Sequence, residues 1–417
     1  MRILWLKTEL LHPVDKGGKI RTYQMLKELK KKHHITYLTL DDGSADGQAL
    51  EKSEEYAHET IAVPHKTSAK FSLKFYLELA DNFRSHLPYA LQKYLNAEMR
   101  RAIKNICNER DFEIVVCDFL APAVNVPDDL ETPTLLFQHN VEATIWRRHF
   151  QTATNPLKKA FLKQQWHRMR QYEKNACDRF DYVVAVSEDD AANMRSAYGA
   201  KNVSPIPTGV DTEYFAPGIK REKDPFNIVF TGSMDWLPNE DAMRWFTDEV
   251  LPRVRERIPD VLLTIVGRNP SPTLLDLSRR DRSVVVTGRV DDVRPYMERS
   301  SAYIVPIRIA GGTRLKIYEA MAMELPIVSS TIGAEGLPVK DGFDILLRDD
   351  RQDFADAVIE VLSDKTLAKN LGTDAARTVR ERHSWSKVAD SFADICDRAA
   401  KLGQPRANEM RVESLGL

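Results

Sequence analysis

Short β-rich apolar runs, each closed by turn residues and followed by a longer helical pattern, recur along this chain and constrain its fold more than any other feature. A parallel strand reaches its neighbour only through a crossover, so alternating strand and helix patterns predict parallel sheets with helices on both faces. The first series of runs holds Arg2 to Leu6, Ile35 to Leu40, Ile61 to Val63, Ile114 to Cys117, Thr134 to His139 and Tyr182 to Val186. The second holds Asn227 to Thr231, Leu262 to Val266, Ser283 to Val286, Ala302 to Val305, Ile327 to Ser329 and Ile345 to Leu347. A segment rich in proline, glycine and charge separates them, which predicts an α/β protein of two Rossmann-like domains.

With 417 residues the chain is too long for one ordinary core and suits two domains of roughly 200 residues each. The expected limits are 1–207 for the N-terminal domain, 208–224 for the linker and 225–384 for the C-terminal domain. A helix over 385–402 is placed to return to the N-terminal domain, and 403–417 is expected to be a mobile tail. The 60 basic residues nearly cancel the 61 acidic ones, so net charge names no partner. Cys107, Cys117, Cys177 and Cys396 follow no paired or metal-ligand spacing and are expected as reduced thiols. No apolar run approaches the roughly 18 residues of a membrane span, so a cytoplasmic location is expected.

Ligands of open parallel sheets bind beyond the carboxyl ends of the strands, so the residues just after each strand are the informative ones. The loop Leu11 to Gly18, LHPVDKGG, precedes a helix expected to start near Lys19. Gly17 and Gly18 would let backbone amides approach an anion at the positive end of that helix, although a plain tight turn explains them equally well. Without GxGxxG spacing, a dinucleotide cofactor is disfavoured. His139 and Asn140 fall at the end of the Thr134 run, where an imidazole can exchange hydrogen bonds with a sugar or phosphate, though lone histidines are more often structural.

The strongest stretch is PIRIAGGTRLKIYEAMA, Pro306 to Ala322. Gly311, Gly312 and Thr313 would present backbone to a ligand, Arg314 a bidentate fork for phosphate, Lys316 a point charge, and Glu319 a carboxylate for two ribose hydroxyls. Cations in a helix's first turn oppose its dipole unless an anion offsets them, which favours a phosphate site over a solvated face. Gly232 and Ser233, after the Asn227 to Thr231 run, are assigned to the same donor site. No DxD ends a strand of the second domain, so neither metal nor cofactor is expected beyond the donor substrate.

These pieces occur in a recognisable order. They are D-x-G-G at Asp15 to Gly18, the HN of His139 and Asn140, AVSEDD, PTGVDTEYF, FTGSMDWLPN, IVGRNP, VTGRVDDVRPYM and GGTRLKIYEAMAMELPIVSS. Over roughly Met1 to Ala400 the chain resembles the retaining nucleotide-sugar glycosyltransferases of the family 4 type, and within them a subgroup associated with bacterial exopolysaccharide export and exosortase systems. The resemblance implies GT-B architecture: two facing Rossmann-like domains, the first for the acceptor, the second for the donor, with the ligand cleft between them. It implies transfer with retention from a UDP- or GDP-sugar to a sugar or lipid-linked sugar, the leaving phosphate deprotonating the acceptor. Glu319 matches the glutamate that binds the ribose, His139 a histidine near the donor sugar, and Gly17 and Gly18 the glycine loop facing the donor phosphate. His139, Arg314 and Lys316 are the expected catalytic residues, with Asp15 and Asn140 on the acceptor side.

Two departures stand against that pattern. The usual pair of glutamates is eight positions apart, and eight before Glu319 stands Gly311. The usual arginine and lysine after the first strand of the donor domain are missing from GSMDWLPN, which leaves the phosphate charge to Arg314 and Lys316.

Residues 143–172 carry no acid but hold Arg147, Arg148, Lys158, Lys159, Lys163, Arg168 and Arg170, interleaved with Trp146, Phe150, Phe161 and Trp166. Such a helical surface suits the anionic inner face of a membrane, which would serve a lipid-linked acceptor, and equally suits a plain solvated face. No nucleic-acid motif accompanies the charge. A sugar-nucleotide epimerase or phosphorylase on the same fold, or a non-catalytic nucleotide-sugar binder, is the alternative reading.

Overall fold

A computed structural model describes residues 1–14, 17–43, 47–68, 72–218, 224–309 and 315–414, without the side chains of 152 and 404–414. The chain divides into two compact units, one formed by Met1–Pro207 with Val388–Leu417, the other by Thr208–Lys387.

The first unit is built on seven parallel strands: β1 (Arg2–Lys7), β2 (His34–Asp41), β3 (Glu59–Pro64), β4 (Ile114–Asp118), β5 (Thr134–Phe137), β6 (Tyr182–Ala185) and β7 (Val203–Pro205). Their order across the sheet is β3-β2-β1-β4-β5-β6-β7, with Ile3 paired to Ile35 on one side and to Ile114 on the other. Ile3, Leu4, Trp5 and Leu6 are all fully buried. That explains why β1 reads as an unbroken apolar run, since a parallel strand is covered on both faces. Leu4, Leu6, Leu38 and Val115 pack with Met99, Ile103 and Met169 on one side of the sheet. On the other side Phe392, from the helix Trp385–Ser414, lies 5.6 Å from the Trp5 ring and 5.0 Å from that of Phe137.

The second unit holds six parallel strands: β8 (Asn227–Thr231), β9 (Leu262–Val266), β10 (Val284–Val286), β11 (Ala302–Val305), β12 (Ile327–Ser329) and β13 (Leu346–Leu347). Their order is β10-β9-β8-β11-β12-β13. Its core runs from Phe230, Ile265 and Ile304 to Phe246 and Phe354.

The structure differs from expectation at several boundaries. β7 is a seventh strand absent from the apolar pattern, because it is three residues long and buries only Val203. β5 ends at Phe137, leaving Gln138 and His139 beyond its last pair. The terminal helix does not stop at residue 402: Gly403 is seated so closely on Pro133 that a Cβ there would lie 2.7 Å from that ring, and the helix continues to Ser414. The described part of the expected linker is held on the second unit. Val210 N donates to the His383 carbonyl at 2.8 Å, Trp385 N donates back to Val210, and the Arg294 guanidinium lies 3.8 Å from the centre of the Tyr214 ring.

At the carboxyl ends of β8 and β9 the two backbones nearly touch. A Cβ on Gly267 would lie 1.7 Å from the Gly232 carbonyl oxygen, a clash with backbone that no rotamer relieves. Gly267→Ala should therefore cost about 3 kcal/mol, the upper end of overpacking. Urea denaturation monitored for the second unit measures this, and an unchanged midpoint would contradict the close approach.

Candidate active site

Each sheet reverses its strand order once, and the crevice at that reversal is where an open α/β sheet binds ligands. In the first unit the reversal lies between β1 and β4, whose last residues are Lys7 and Asp118. The two meet there, Lys7 Nζ 2.8 Å from Asp118 Oδ2, both essentially without solvent. Thr22 Oγ1 and Trp5 Nε1 donate to the same oxygen at 2.6 and 3.1 Å. Asp118 Oδ1 faces His139 Nε2 at 2.7 Å, and Phe119, at a positive φ of 76°, stacks on the imidazole with centroids 3.8 Å apart.

Burial alone would raise the Asp118 pKa, but Lys7 and His139 more than reverse this and hold the carboxylate ionised. Burial pushes Lys7 down, against the pull of Asp118. Burial likewise brings His139 down to about 4, outweighing Asp118, so the imidazole is neutral near pH 7. A carboxylate can only accept, so this close approach favours the tautomer protonated on Nε2, although the two atoms are not aligned as a hydrogen bond.

His139 is thus a buried member of a polar cluster, where the sequence suggests a side chain presented to ligand. Asn140 beside it is exposed and hydrogen-bonded to Glu142. Gly17 and Gly18 are not in a loop but form the first turn of the helix Gly17–Lys30. Gly18 has a packing reason to be glycine, since a Cβ would stand 2.9 Å from Phe119 Cζ. Asp15 lies outside the described residues. Glu173, which drew no attention in the sequence, is fully buried and accepts from the backbone amides of Glu142 and Ala143 at 2.8 and 3.1 Å and from Tyr198 Oη at 2.7 Å. It caps the helix that follows His139 and Asn140. Burial pushes its pKa up to about 7, against those three donors.

In the second unit the reversal lies between β8 and β11. Gly232, just past β8, and the helix Leu315–Ala322, which follows β11, converge at this crevice. Lys316 Nζ donates to Asn239 Oδ1 at 2.9 Å, lies 4.1 Å from the centre of the Phe230 ring, and would be 2.7 Å from a Cβ on Gly232. Asn239 in turn donates to the Ser233 carbonyl at 2.8 Å, while Ser233 Oγ accepts from Arg268 Nε at 2.8 Å. Glu319 sits one turn after Lys316, partly buried. Burial raises its pKa to about 7, against the pull of Lys316. The Tyr303 hydroxyl, bonded to Thr231 Oγ1 at 2.5 Å, borders it. Gly232, Ser233, Lys316 and Glu319 are therefore brought together. Gly311, Gly312, Thr313 and Arg314 lie outside the described residues.

The comparisons with known proteins divide at the same place as the two sheets. Residues 16–214 match the model of Glycosyltransferase Family 4, and residues 225–364 match that of Glycosyl transferases group 1. The chain is a glycosyltransferase of the family 4 type.

Among similar proteins, an uncharacterized 44.6 kDa protein in the cps region of Klebsiella pneumoniae is 22% identical over 94% of this glycosyltransferase and 98% of its own length. The phosphatidyl-myo-inositol mannosyltransferase of Mycobacterium tuberculosis is 28% identical over 53% of this chain and 60% of its own. Of solved structures, sucrose-phosphate synthase from Thermosynechococcus elongatus matches with a TM-score of 0.64 at 16% identity, covering 95% of this chain and 98% of that one. HepE of Anabaena in complex with UDP matches at 0.63 and 13% identity, covering 95% and 100%. At these identities the structures share the fold.

With Glu173, the polar residues that the sequence did not single out are Lys7, Thr22, Asp118 and Asn239. Lys7 and Asp118 each close a buried apolar run with a charge, and that is the signal that marks them. Replacing Asp118 by Asn leaves Lys7 buried beside a neutral partner, which should destabilise the first unit by about 3–5 kcal/mol. Asp118→Asn with Lys7→Met should recover part of that loss, as measured by denaturant unfolding of both variants.

Proposed function

We propose that this glycosyltransferase binds a nucleoside diphosphate sugar at the β8/β11 crevice of the second unit and transfers the sugar, with retention, to a sugar or lipid-linked sugar held by the first. The convergence of Lys316, Gly232, Asn239 and Glu319 at that crevice carries the reading. A carboxylate that no described side chain hydrogen-bonds, beside a cation held over a glycine, suits a ribose diol next to a diphosphate. Relatives support it: HepE has been crystallised in complex with UDP, and the mycobacterial relative is a mannosyltransferase. The donor nucleotide is UDP or GDP.

In this mechanism the bond from the sugar's anomeric carbon to the diphosphate oxygen breaks and a bond to the acceptor oxygen forms on the same face. The acceptor's proton passes to the departing phosphate. Negative charge grows on that phosphate, and donors fixed in advance stabilise it most. Lys316 and the backbone of Gly232 and Ser233 supply them, joined by Gly311, Gly312, Thr313 and Arg314. No metal is assigned to the step. On the first unit, Gly17 and Gly18 head a helix whose amides suit an anion, Asp15 and Asn140 meet the acceptor, and His139, held neutral by burial, offers Nδ1 to a hydroxyl. The basic surface of 143–172 would bring the enzyme to the inner face of a membrane as a peripheral protein.

Thermal shift against UDP-, GDP-, ADP- and dTDP-sugars tests the donor site, since ligand at 100 times its Kd adds about 2.7 kcal/mol of stability. One nucleotide family should stabilise the wild type and fail with Glu319→Ala. Stabilisation by none of them would sink the reading.

Ribose hydroxyls donate to an ionised carboxylate, while burial holds Glu319 near 7. Affinity for the nucleotide sugar should therefore be full above pH 7 and fall about tenfold per unit below it. Glu319→Gln should bind weakly with no such slope, read by titration calorimetry over roughly pH 5.5 to 8, a window that brackets a carboxyl group at about 7.

A further inference from the structure

The helix Leu73–Asn82 in the first unit carries apolar side chains on both faces: Phe75, whose ring meets that of Tyr89 at 5.6 Å, and Leu79 are half-buried, while a second apolar set points outward. Ser72 caps it, its hydroxyl accepting from Phe75 N at 3.1 Å. Its inward face carries polar groups. Glu78 accepts from the Tyr89 hydroxyl at 3.1 Å, and Asn82 is buried, donating to the Leu87 carbonyl and accepting from Gln165 Nε2, both at 2.9 Å. Arg168 closes the end of the helix, donating to the carbonyls of Asn82 and Phe83 at 2.7 and 2.9 Å.

The outward face is apolar. Leu73 is 78% exposed, Tyr76 54%, Leu77 62% and Phe83 58%, with Ala80 exposed between them. The spacing of three, four and seven residues puts Leu73, Tyr76, Leu77 and Ala80 on one stripe. The Phe83 ring meets that of Phe161, 6.2 Å away, and one turn before Phe161 stands Leu157, 84% exposed. The stripe is thus continuous with the start of the basic helix Pro156–Arg179. Phe75 and Leu79 serve the inward contacts, and a water-filled surroundings gives no reason for the further apolar stripe outside, whereas an apolar medium does.

The charges around the stripe choose the medium. Lys74, Arg84, Lys158, Lys159 and Lys163 are all exposed, against Asp81 as the exposed acid of the short helix. A second copy of this chain, docked by two-fold symmetry, would set the same lysines against each other. An anionic lipid surface satisfies both components, apolar side chains entering the acyl boundary and cations staying at the headgroups.

We infer that the stripe Leu73–Tyr76–Leu77–Ala80, with Phe83 and Leu157, inserts into the interface of an anionic membrane, flanked by Lys74, Arg84, Lys158, Lys159 and Lys163 at the headgroups. This rests on the membrane part of the proposed function and gives it a different anchor. The basic segment supplies attraction, and the short helix supplies the residues that enter the lipid. Arg168 is not among the lipid contacts, because it is used to hold that helix.

The test is co-sedimentation of the full chain with vesicles of phosphatidylcholine alone or with about one-third phosphatidylglycerol, the anionic fraction setting the surface potential. Wild type should pellet with the anionic vesicles and stay in solution with the neutral ones. Leu73→Ser with Leu77→Ser should lower the partition coefficient about tenfold or more, and Lys158→Glu with Lys159→Glu should lower it too, in a salt-sensitive way. Both positions of the serine pair are exposed, so its thermal unfolding in buffer should match wild type. If the pair unfolds early, Leu73→Ser alone replaces it. Wild type failing to pellet overturns the inference. So does a serine variant that pellets like wild type, or a dimer seen by sedimentation equilibrium that the serine pair abolishes without any lipid binding. Thermal shift with nucleotide sugar on the same variants keeps the two readings apart: lost lipid binding with an intact shift touches the anchor alone, whereas a missing shift in wild type touches the donor site.

Discussion

A sheet whose strands all run the same way collects its carboxyl ends along one edge, and nearly everything of interest in this glycosyltransferase follows from that. Where the strand order reverses, the helices after the two central strands leave on opposite faces and a crevice opens between them. Lys7 and Asp118 occupy that position in the first sheet, and Gly232 with Lys316 and Glu319 in the second. The sites share a place in the topology and differ in chemistry.

The first crevice is filled from within. Lys7, Thr22 and Trp5 saturate one oxygen of Asp118 and His139 faces the other, so the charge is matched inside the protein. An ion pair of this kind costs desolvation on both sides and is held by its hydrogen bonds. Its consequence is positional: His139 is held in ring plane by Phe119 and set against the free oxygen of Asp118. The second crevice is not closed in this way. Lys316 is steadied by Asn239 and the Phe230 ring, and the Glu319 carboxyl is left short of hydrogen bonds among the described residues.

The short helix Leu73–Asn82 shows the same logic at the surface. Asn82 and Glu78 are tied to Gln165, Arg168 and Tyr89, which fixes the rotation of the helix and turns Leu73 and Leu77 outward. The exposure is imposed by specific hydrogen bonds and is not slack in an unpacked element.

Apart from β7, strand existence and order along the chain were legible in the amino-acid pattern, because a buried parallel strand is an unbroken apolar run of limited length. Of the glycine-rich stretch and the helix Leu315–Ala322 that follows it, the described site residues are Lys316 and Glu319, one turn apart as their local spacing implied. What was not legible depends on neighbours distant in sequence. Nothing local says that Lys7 and Asp118, 111 positions apart, end adjacent strands, or that His139 is turned inward to meet them. The apolar stripe of Leu73, Tyr76, Leu77 and Ala80 could be seen in the sequence, but such stripes ordinarily face a core. Only the tertiary contacts of Asn82 and Glu78 decided that this one faces out, since periodicity fixes which residues share a face and packing fixes where that face points.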